Sequence, residues 1–270
     1  MRLWIHIHIL GLDTMYFATW IVHLFVVSLL VVVPIVEVRY DRRLKQFTSS
    51  ERRTAWYRLN IIVLCVLAAT ALTLAYPVNI FGLANRGSVA TWLGAHRAFS
   101  LGATALAVAY TGLALAQGFK AAINKTFRLR IAKAMRSLRF MLPVTKRERQ
   151  WWILVSLSAG VCEEILYRGF VTQYFSGSLG ATISLGTVGA WLAASLFFGL
   201  AHAYQGLTGI LRSGLGGLLL GAISILSGGL LIPIVLHFVF DLQTLWMYRP
   251  IADDPDTAEQ LINGCEPSML

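Results

Sequence analysis

The chain has 270 residues, of which 57% are hydrophobic and only 13% are charged, and its formal net charge is +10. This composition excludes a water-soluble globule, because so few polar residues could not cover an apolar core of this size. The basic residues lie beside long apolar runs. We therefore expect them to contact anionic lipid headgroups at a membrane surface and not nucleic acid.

The three cysteines, Cys65, Cys162 and Cys265, show neither CxxC nor Cys/His spacing. The pattern indicates neither a disulfide framework nor a zinc knuckle. No histidine lies within helical reach of Cys162, so we interpret it as a small packing residue rather than a nucleophile. We expect no cleavable signal peptide, because the first apolar run is long enough to span a membrane.

Seven segments resemble membrane spans, each of which needs ~20 mainly apolar residues. They are 14–36, 59–76, 98–117, 151–172, 183–204, 207–226 and 229–248. We therefore predict an all-α fold, a polytopic transmembrane helical bundle of about seven spans. We divide it into an N-terminal part (1–150), a second bundle of spans (151–248) and an acidic tail (249–270).

Basic residues concentrate in two predicted loops, with seven Lys or Arg in 37–58 and ten in 118–150. Seven spans place both loops on one side, and that side should be cytoplasmic because Lys and Arg favour retention there. The N-terminus is then outside and the tail inside. Within 118–150 the apolar residues recur at helical spacing, which predicts an amphipathic helix on the membrane surface, with a solvated loop as the alternative. These residues are Phe119, Ile123, Phe127, Ile131, Met135 and Leu138.

Ionisable residues occur inside the later spans, although a charge at the bilayer centre costs ~2.5–3.5 kcal/mol. In the first cluster, Glu164 and Arg168 are four residues apart and share a helix face, so Arg168 can neutralise Glu164. Glu163 has no partner in its own segment, and a carboxylate in apolar surroundings is a stronger base than one in water. We predict that Glu163 is a general base. The alternative is an ion pair between helices, with Glu163 facing a water pocket.

Two further clusters, Phe198…His202 and His237…Asp241, also have a spacing of four and each lines one helix face. Taken alone, each fits a structural role, such as a hydrogen-bonded histidine or a His–Asp pair between helices. Together, the clusters supply a base (Glu163), a second group that orients water (His202) and an oxyanion site (His237 with Asp241). We predict that Glu163, His202 and His237 line one polar cavity.

The three clusters resemble the EExxxR, FxxxH and HxxxN/D motifs of the CAAX protease and bacteriocin-processing (CPBP, or Abi) family. This family contains glutamic intramembrane endopeptidases of the type II CAAX prenyl endopeptidase kind. The motifs occur in the family's order, and the resemblance covers roughly residues 150–245. It implies that 151–248 is a catalytic core that hydrolyses a peptide bond of a membrane-associated peptide or protein, without a cofactor. It also suggests a multi-pass protein of a bacterial or archaeal plasma membrane.

The resemblance further implies a set of catalytic-site residues, Glu163, Glu164, Arg168, His202, His237 and Asp241. Glu163 would be the base, His202 would help to activate water, and Glu164 and Arg168 would support the geometry. His237 and its partner would bind the oxyanion. The better-understood members have Asn where this chain has Asp241, and an ionised Asp cannot donate a hydrogen bond to an oxyanion. Asp241 must therefore be protonated or orient His237, and we favour the second role.

Three alternatives use the same residues. In the first, Glu163, His202 and His237, with or without Asp241, bind Zn²⁺ in a membrane protease, and chelators would then abolish activity. In the second, the residues form a proton or ion relay in a carrier, which would show transport in proteoliposomes and no cleavage. In the third, the protein is a non-catalytic binding or immunity protein of the membrane, and Glu163→Ala would leave its function intact.

Overall fold

A computed structural model describes residues 14–44, 49–76, 78–81, 97–135, 138–179 and 184–248. Every regular element in this part of the chain is a helix and none is a strand, which confirms the predicted all-α class. The predicted acidic tail at 249–270, which includes Cys265, lies outside the described residues.

The described part of the first half begins with one long helix in three segments: α1 (Thr14–Val27), a π-helical stretch (Ser28–Val32) and α2 (Val33–Leu44). It continues with α3 (Ser50–Ala75), α4 (Arg97–Ile123) and the short α5 (Lys125–Ala134). The second half also begins with a three-part helix: α6 (Lys146–Glu163), a second π-helical stretch (Glu164–Val171) and α7 (Thr172–Phe175). The remaining helices are α8 (Gly186–Ala201), α9 (Leu207–Ser227), α10 (Leu231–Leu242) and α11 (Thr244–Met247).

Four of the described helices are long and apolar enough to cross a membrane, and they overlap the first, second, third and sixth predicted spans. They are Thr19–Arg39, Ser50–Ala75, Thr104–Ile123 and Leu207–Ser227. The predicted count of seven spans is not confirmed. The fourth predicted span carries three charged residues that lower its mean hydropathy, and the helices Gly186–Ala201 and Leu231–Met247 are shorter than a full span.

Most of the predicted basic loop at 37–58 is helical, which corrects the sequence analysis. Helix α2 extends to Leu44, and α3 begins at Ser50. The side chain of Ser49 caps α3 by accepting a hydrogen bond from the backbone nitrogen of Arg52. The short side-chain oxygen of serine is well suited to this position, because it replaces a missing intrahelical partner.

The predicted amphipathic helix within 118–150 is divided. Helix α4 continues through Phe119 to Ile123, and Asn124 then caps the ten-residue α5. The side-chain oxygen of Asn124 accepts from the backbone nitrogen of Phe127 at 2.9 Å. Asparagine favours the capping position, so Asn124 separates the two helices. The predicted apolar face is therefore interrupted: Phe119 and Ile123 lie on α4, Phe127 and Ile131 lie on α5, and Met135 and Leu138 follow α5.

A buried ion pair joins α3 to the start of α6. Its two residues belong to the two predicted basic loops, 37–58 and 118–150. Arg53 Nη2 lies 3.1 Å from Glu148 Oε1, and the two side chains are 3% and 0% exposed. Glu148 Oε2 also accepts from the backbone nitrogens of Val144 and Thr145 at 2.6 and 3.0 Å. Thr145 and Glu148 form a capping box, whose T-x-x-E spacing satisfies the free N–H groups of the first helical turn. These contacts fix the first turn of α6 against α3.

Helices α6 and α10 approach each other closely at Gly160. A Cβ atom at Gly160 would lie 2.9 Å from the backbone nitrogen of Phe238 and 3.1 Å from the carbonyl oxygen of Ile234. Only glycine permits this approach, because both neighbours are backbone atoms that cannot rotate away. The contact places His237, which precedes Phe238, beside the last turn of α6.

We expect Gly160→Ala to lower both the melting temperature and the activity, because the added methyl group must separate α6 from α10. Overpacking of this kind costs about 1–3 kcal/mol. Gly112→Ala on α4 is the matched control, since no atom lies within 4 Å of its Cβ position. Melting curves in detergent would measure both variants, and equal melting temperatures for the two would contradict the close packing.

The topology prediction can be tested by reporter fusions. We expect reporters after residues 45, 140 and 265 to give the cytoplasmic signal and a reporter after residue 85 to give the opposite signal. The basic residues near positions 45 and 140 favour retention on the inner side. Opposite signals at 45 and 140 would contradict an arrangement with both basic segments on one side.

Candidate active site

The centre of the candidate site lies where α6 widens into the π-helical segment Glu164–Val171, all of whose residues are buried. Such π-helical turns are rare and occur frequently at functional sites. Arg168 Nη1 lies 2.9 Å from Glu164 Oε1, and this contact confirms the ion pair predicted from the spacing of four. The pair buries both charges together, so that neither group is left alone in an apolar environment.

Glu164 also binds His237 from the facing helix α10. His237 Nδ1 lies 2.8 Å from the same Oε1 atom that contacts Arg168, and the Glu164 side chain is fully buried. A carboxylate oxygen can only accept this hydrogen bond, so Nδ1 carries the hydrogen. The expectation that Asp241 orients His237 is therefore corrected. Glu164 makes the orienting hydrogen bond from the π-helical segment.

The second ring nitrogen of His237 faces two other carboxylates. Its Nε2 atom lies 3.7 Å from Glu163 Oε2 and 3.8 Å from Asp241 Oδ2. Both distances are too long for a direct hydrogen bond. Glu163 Oε2 is buried and has no hydrogen-bond partner in the described part of the chain. Glu164 Oε2 is likewise buried without a partner there, because both contacts of Glu164 involve its Oε1 atom.

His202 lies immediately after the end of α8. Its Nδ1 atom is 2.8 Å from the carbonyl oxygen of Phe198, four residues earlier. Because a carbonyl oxygen can only accept, Nδ1 is the donor and Nε2 of the neutral ring is an acceptor. The spacing of four residues in FxxxH thus allows the histidine to donate a hydrogen bond to the backbone carbonyl of the phenylalanine.

The ring of Phe198 contacts residues from all three motifs, a role that the sequence analysis missed. The guanidinium carbon of Arg168 lies 4.2 Å from the centre of the ring, within the range of a cation–π contact. The ring centroids of His202 and His237 lie at 4.8 and 5.8 Å. The only signal in the sequence was an aromatic residue one turn before a histidine, which did not reveal the contacts with the other two helices.

Glu163, His202, His237 and Asp241 line one cavity of about 250 Å³. The first three residues thus line a common cavity, as predicted, although most of its lining is apolar. The other walls come in large part from helices of the N-terminal half. They contribute mainly apolar side chains together with the polar residues Glu37 and Asn60, and include Leu29, Val33, Val63, Leu64 and Leu67. Glu37 belongs to the predicted basic loop at 37–58, and no residue of 1–150 was predicted to contribute to the site.

Within the described residues, no group of three or more His, Cys, Asp or Glu side chains is arranged to hold a metal ion. The zinc alternative, with Glu163, His202 and His237 and with or without Asp241 as ligands, stays a prediction. Chelator sensitivity is still the measurement that separates a zinc protease from a glutamate-dependent one.

Residues 147–243 match the family described as Rce1-like type II CAAX prenyl endopeptidases. No curated protein and no solved structure matches the chain. The matched segment contains all three motifs. The match therefore confirms the family resemblance that was inferred from these motifs. The family and the apolar helices together indicate an integral membrane protease whose substrate is a membrane-associated protein or peptide.

Proposed function

We propose that the protein is a glutamate-dependent intramembrane endopeptidase in which Glu163 activates water. The observation that carries this proposal is the contrast between two adjacent carboxylates. Glu164 is held by Arg168 and His237 through its Oε1 atom and is not among the residues that line the cavity, whereas Glu163 lines the cavity and its Oε2 atom has, in the described part of the chain, no hydrogen-bond partner. A general base needs an oxygen that is free to take the proton of a water molecule.

His202 is the second water-binding group in this proposal. Its Nδ1–H is occupied by the carbonyl oxygen of Phe198, so the Nε2 lone pair is available in the same cavity. Two acceptors can hold both hydrogens of one water molecule and direct its oxygen at a carbonyl carbon. Glu163 then takes one proton and later transfers it to the leaving amine nitrogen.

His237 stabilises the developing oxyanion. Its Nδ1 atom is fixed by Glu164, and Glu164, Glu163 and Asp241 all lie within 4 Å of the ring nitrogens. Because Nδ1 is held by Glu164, the imidazolium form of His237 can donate from Nε2 into the cavity. A fixed donor at the position where negative charge develops lowers the barrier to acyl transfer.

We expect Asp241→Asn to cleave at least as fast as the parent protein. His237 keeps its orienting contact with Glu164, and an amide near Nε2 adds a hydrogen-bond donor at the oxyanion site. The family resemblance also associates this position with asparagine. Cleavage rates of Asp241→Asn and Asp241→Leu would be compared. If the Asn variant were as slow as the Leu variant, the carboxylate of Asp241 would itself be required.

The proposal is tested by comparing membrane peptides from cells that produce the parent protein or Glu163→Ala. We expect fragments with new termini only in cells with the parent protein. Glu51→Ala is the matched control, because Glu51 is an exposed acid in the first turn of α3. Identical peptide sets in the parent and Glu163→Ala cells would refute the protease function, and loss of cleavage on chelation would favour the zinc alternative.

A further inference from the structure

Two thiols lie close together beside the candidate site. Cys65 Sγ on α3 and Cys162 Sγ on α6 are 3.9 Å apart, although the residues are separated by 97 positions in the sequence. Both are free cysteines, and Cys65 is exposed whereas Cys162 is buried. A disulfide requires an S–S distance of about 2.05 Å, so the sulfurs must approach by roughly 2 Å.

The pair connects two walls of the catalytic cavity. Cys162 immediately precedes Glu163, and Cys65 lies between Leu64 and Leu67, which both line the cavity from α3. At about 250 Å³ the cavity is smaller than the ~300–1,000 Å³ typical of ligand clefts. A peptide substrate therefore requires the walls to separate. A covalent bond between α3 and α6 would oppose that separation.

We propose that Cys65 and Cys162 form a reversible disulfide that locks α3 to α6 and closes the catalytic cavity to substrate. The oxidant is a peroxide. The exposed Cys65 thiol attacks one peroxide oxygen, releases water and becomes a sulfenic acid. The sulfur of Cys162 then attacks the Cys65 sulfur, the S–S bond forms and the second oxygen leaves as water. Two electrons pass from the sulfurs to the peroxide, and a dithiol returns both cysteines to thiols.

The cross-link can be tested on the purified full chain carrying Cys265→Ser, so that only the two thiols remain. After treatment with hydrogen peroxide, we expect the intact mass to fall by two hydrogens. We also expect both thiols of the subsequently unfolded protein to escape maleimide labelling until dithiothreitol is added. In Cys65→Ser the remaining thiol should gain oxygen or stay labelled. An oxidised parent in which both thiols remain labelled, or gain oxygen separately, would overturn the proposal.

The effect of the lock on activity rests on the proposed protease function, whereas its effect on stability does not. We expect oxidation to lower cleavage in proportion to the cross-linked fraction and to raise the melting temperature, with both changes reversed by dithiothreitol and absent in Cys65→Ser. Unchanged cleavage by fully cross-linked protein would overturn the lock. If the reduced protein cleaves no substrate, the protease function fails, and the melting temperature alone decides whether the disulfide holds α3 to α6.

Discussion

Glu163→Gln is expected to abolish cleavage while leaving the fold intact. The amide has the shape of the carboxyl group but cannot take a proton from water, and general-base catalysis contributes about 10²–10⁴-fold to rates. The fold should not suffer, because Glu163 Oε2 has no hydrogen-bond partner in the described part of the chain. A cleavage assay beside a detergent melting curve measures both effects.

The control for this experiment is Glu51→Gln, which makes the same chemical change at an exposed position. It should cleave and melt like the parent protein. Cleavage by Glu163→Gln at the parental rate would show that another group activates the water. A large fall in its melting temperature would show that Glu163 has a structural role.

Glu164→Gln is expected to have the opposite profile, with a large loss of stability. The substitution removes the charge that compensates Arg168, whose side chain is 4% exposed. Breaking a buried ion pair costs about 3–5 kcal/mol, because one charge stays buried without a counterion. The amide oxygen can still accept the hydrogen bond from His237, so activity per folded molecule should fall less than in Glu163→Gln. Accumulation in membranes and melting temperature would report the stability loss.

Arg168→Ala provides the second half of a double-mutant cycle. It should destabilise the protein like Glu164→Gln, and the double variant should be milder than the sum of the two changes, because no uncompensated charge is left. Additive losses would indicate that the two residues act independently. A Glu164→Gln protein that is fully stable yet inactive would mean that the roles of the two carboxylates are reversed.

The parts of the site that follow from helical spacing were predictable from the sequence. The ion pair of Glu164 and Arg168 results from a separation of four residues, and the pattern also indicated that Glu163 is left without a local partner. Placing Glu163, His202 and His237 in one cavity needed a further argument. Isolated polar groups inside a membrane are costly, so three of them on separate helices are expected to meet.

Contacts between distant segments could not be predicted in this way. His237 is held by Glu164, 73 residues away, and the sequence analysis had favoured its near neighbour Asp241 instead. Arg53 and Glu148 were treated as parts of two basic loops, although they form a buried pair. Periodicity describes one helix at a time. It contains no information about which helices pack together or which side chains meet between them.

The catalytic role of Glu163 is tested most directly by cleavage in water enriched in oxygen-18. Purified parent protein and Glu163→Gln would be incubated with a membrane-peptide substrate identified from the fragment comparison, and the products analysed by mass spectrometry. We expect the parent to produce two fragments, with one heavy oxygen in the new terminal carboxyl group, and Glu163→Gln to produce neither. Equal amounts of labelled product from both proteins would contradict the account.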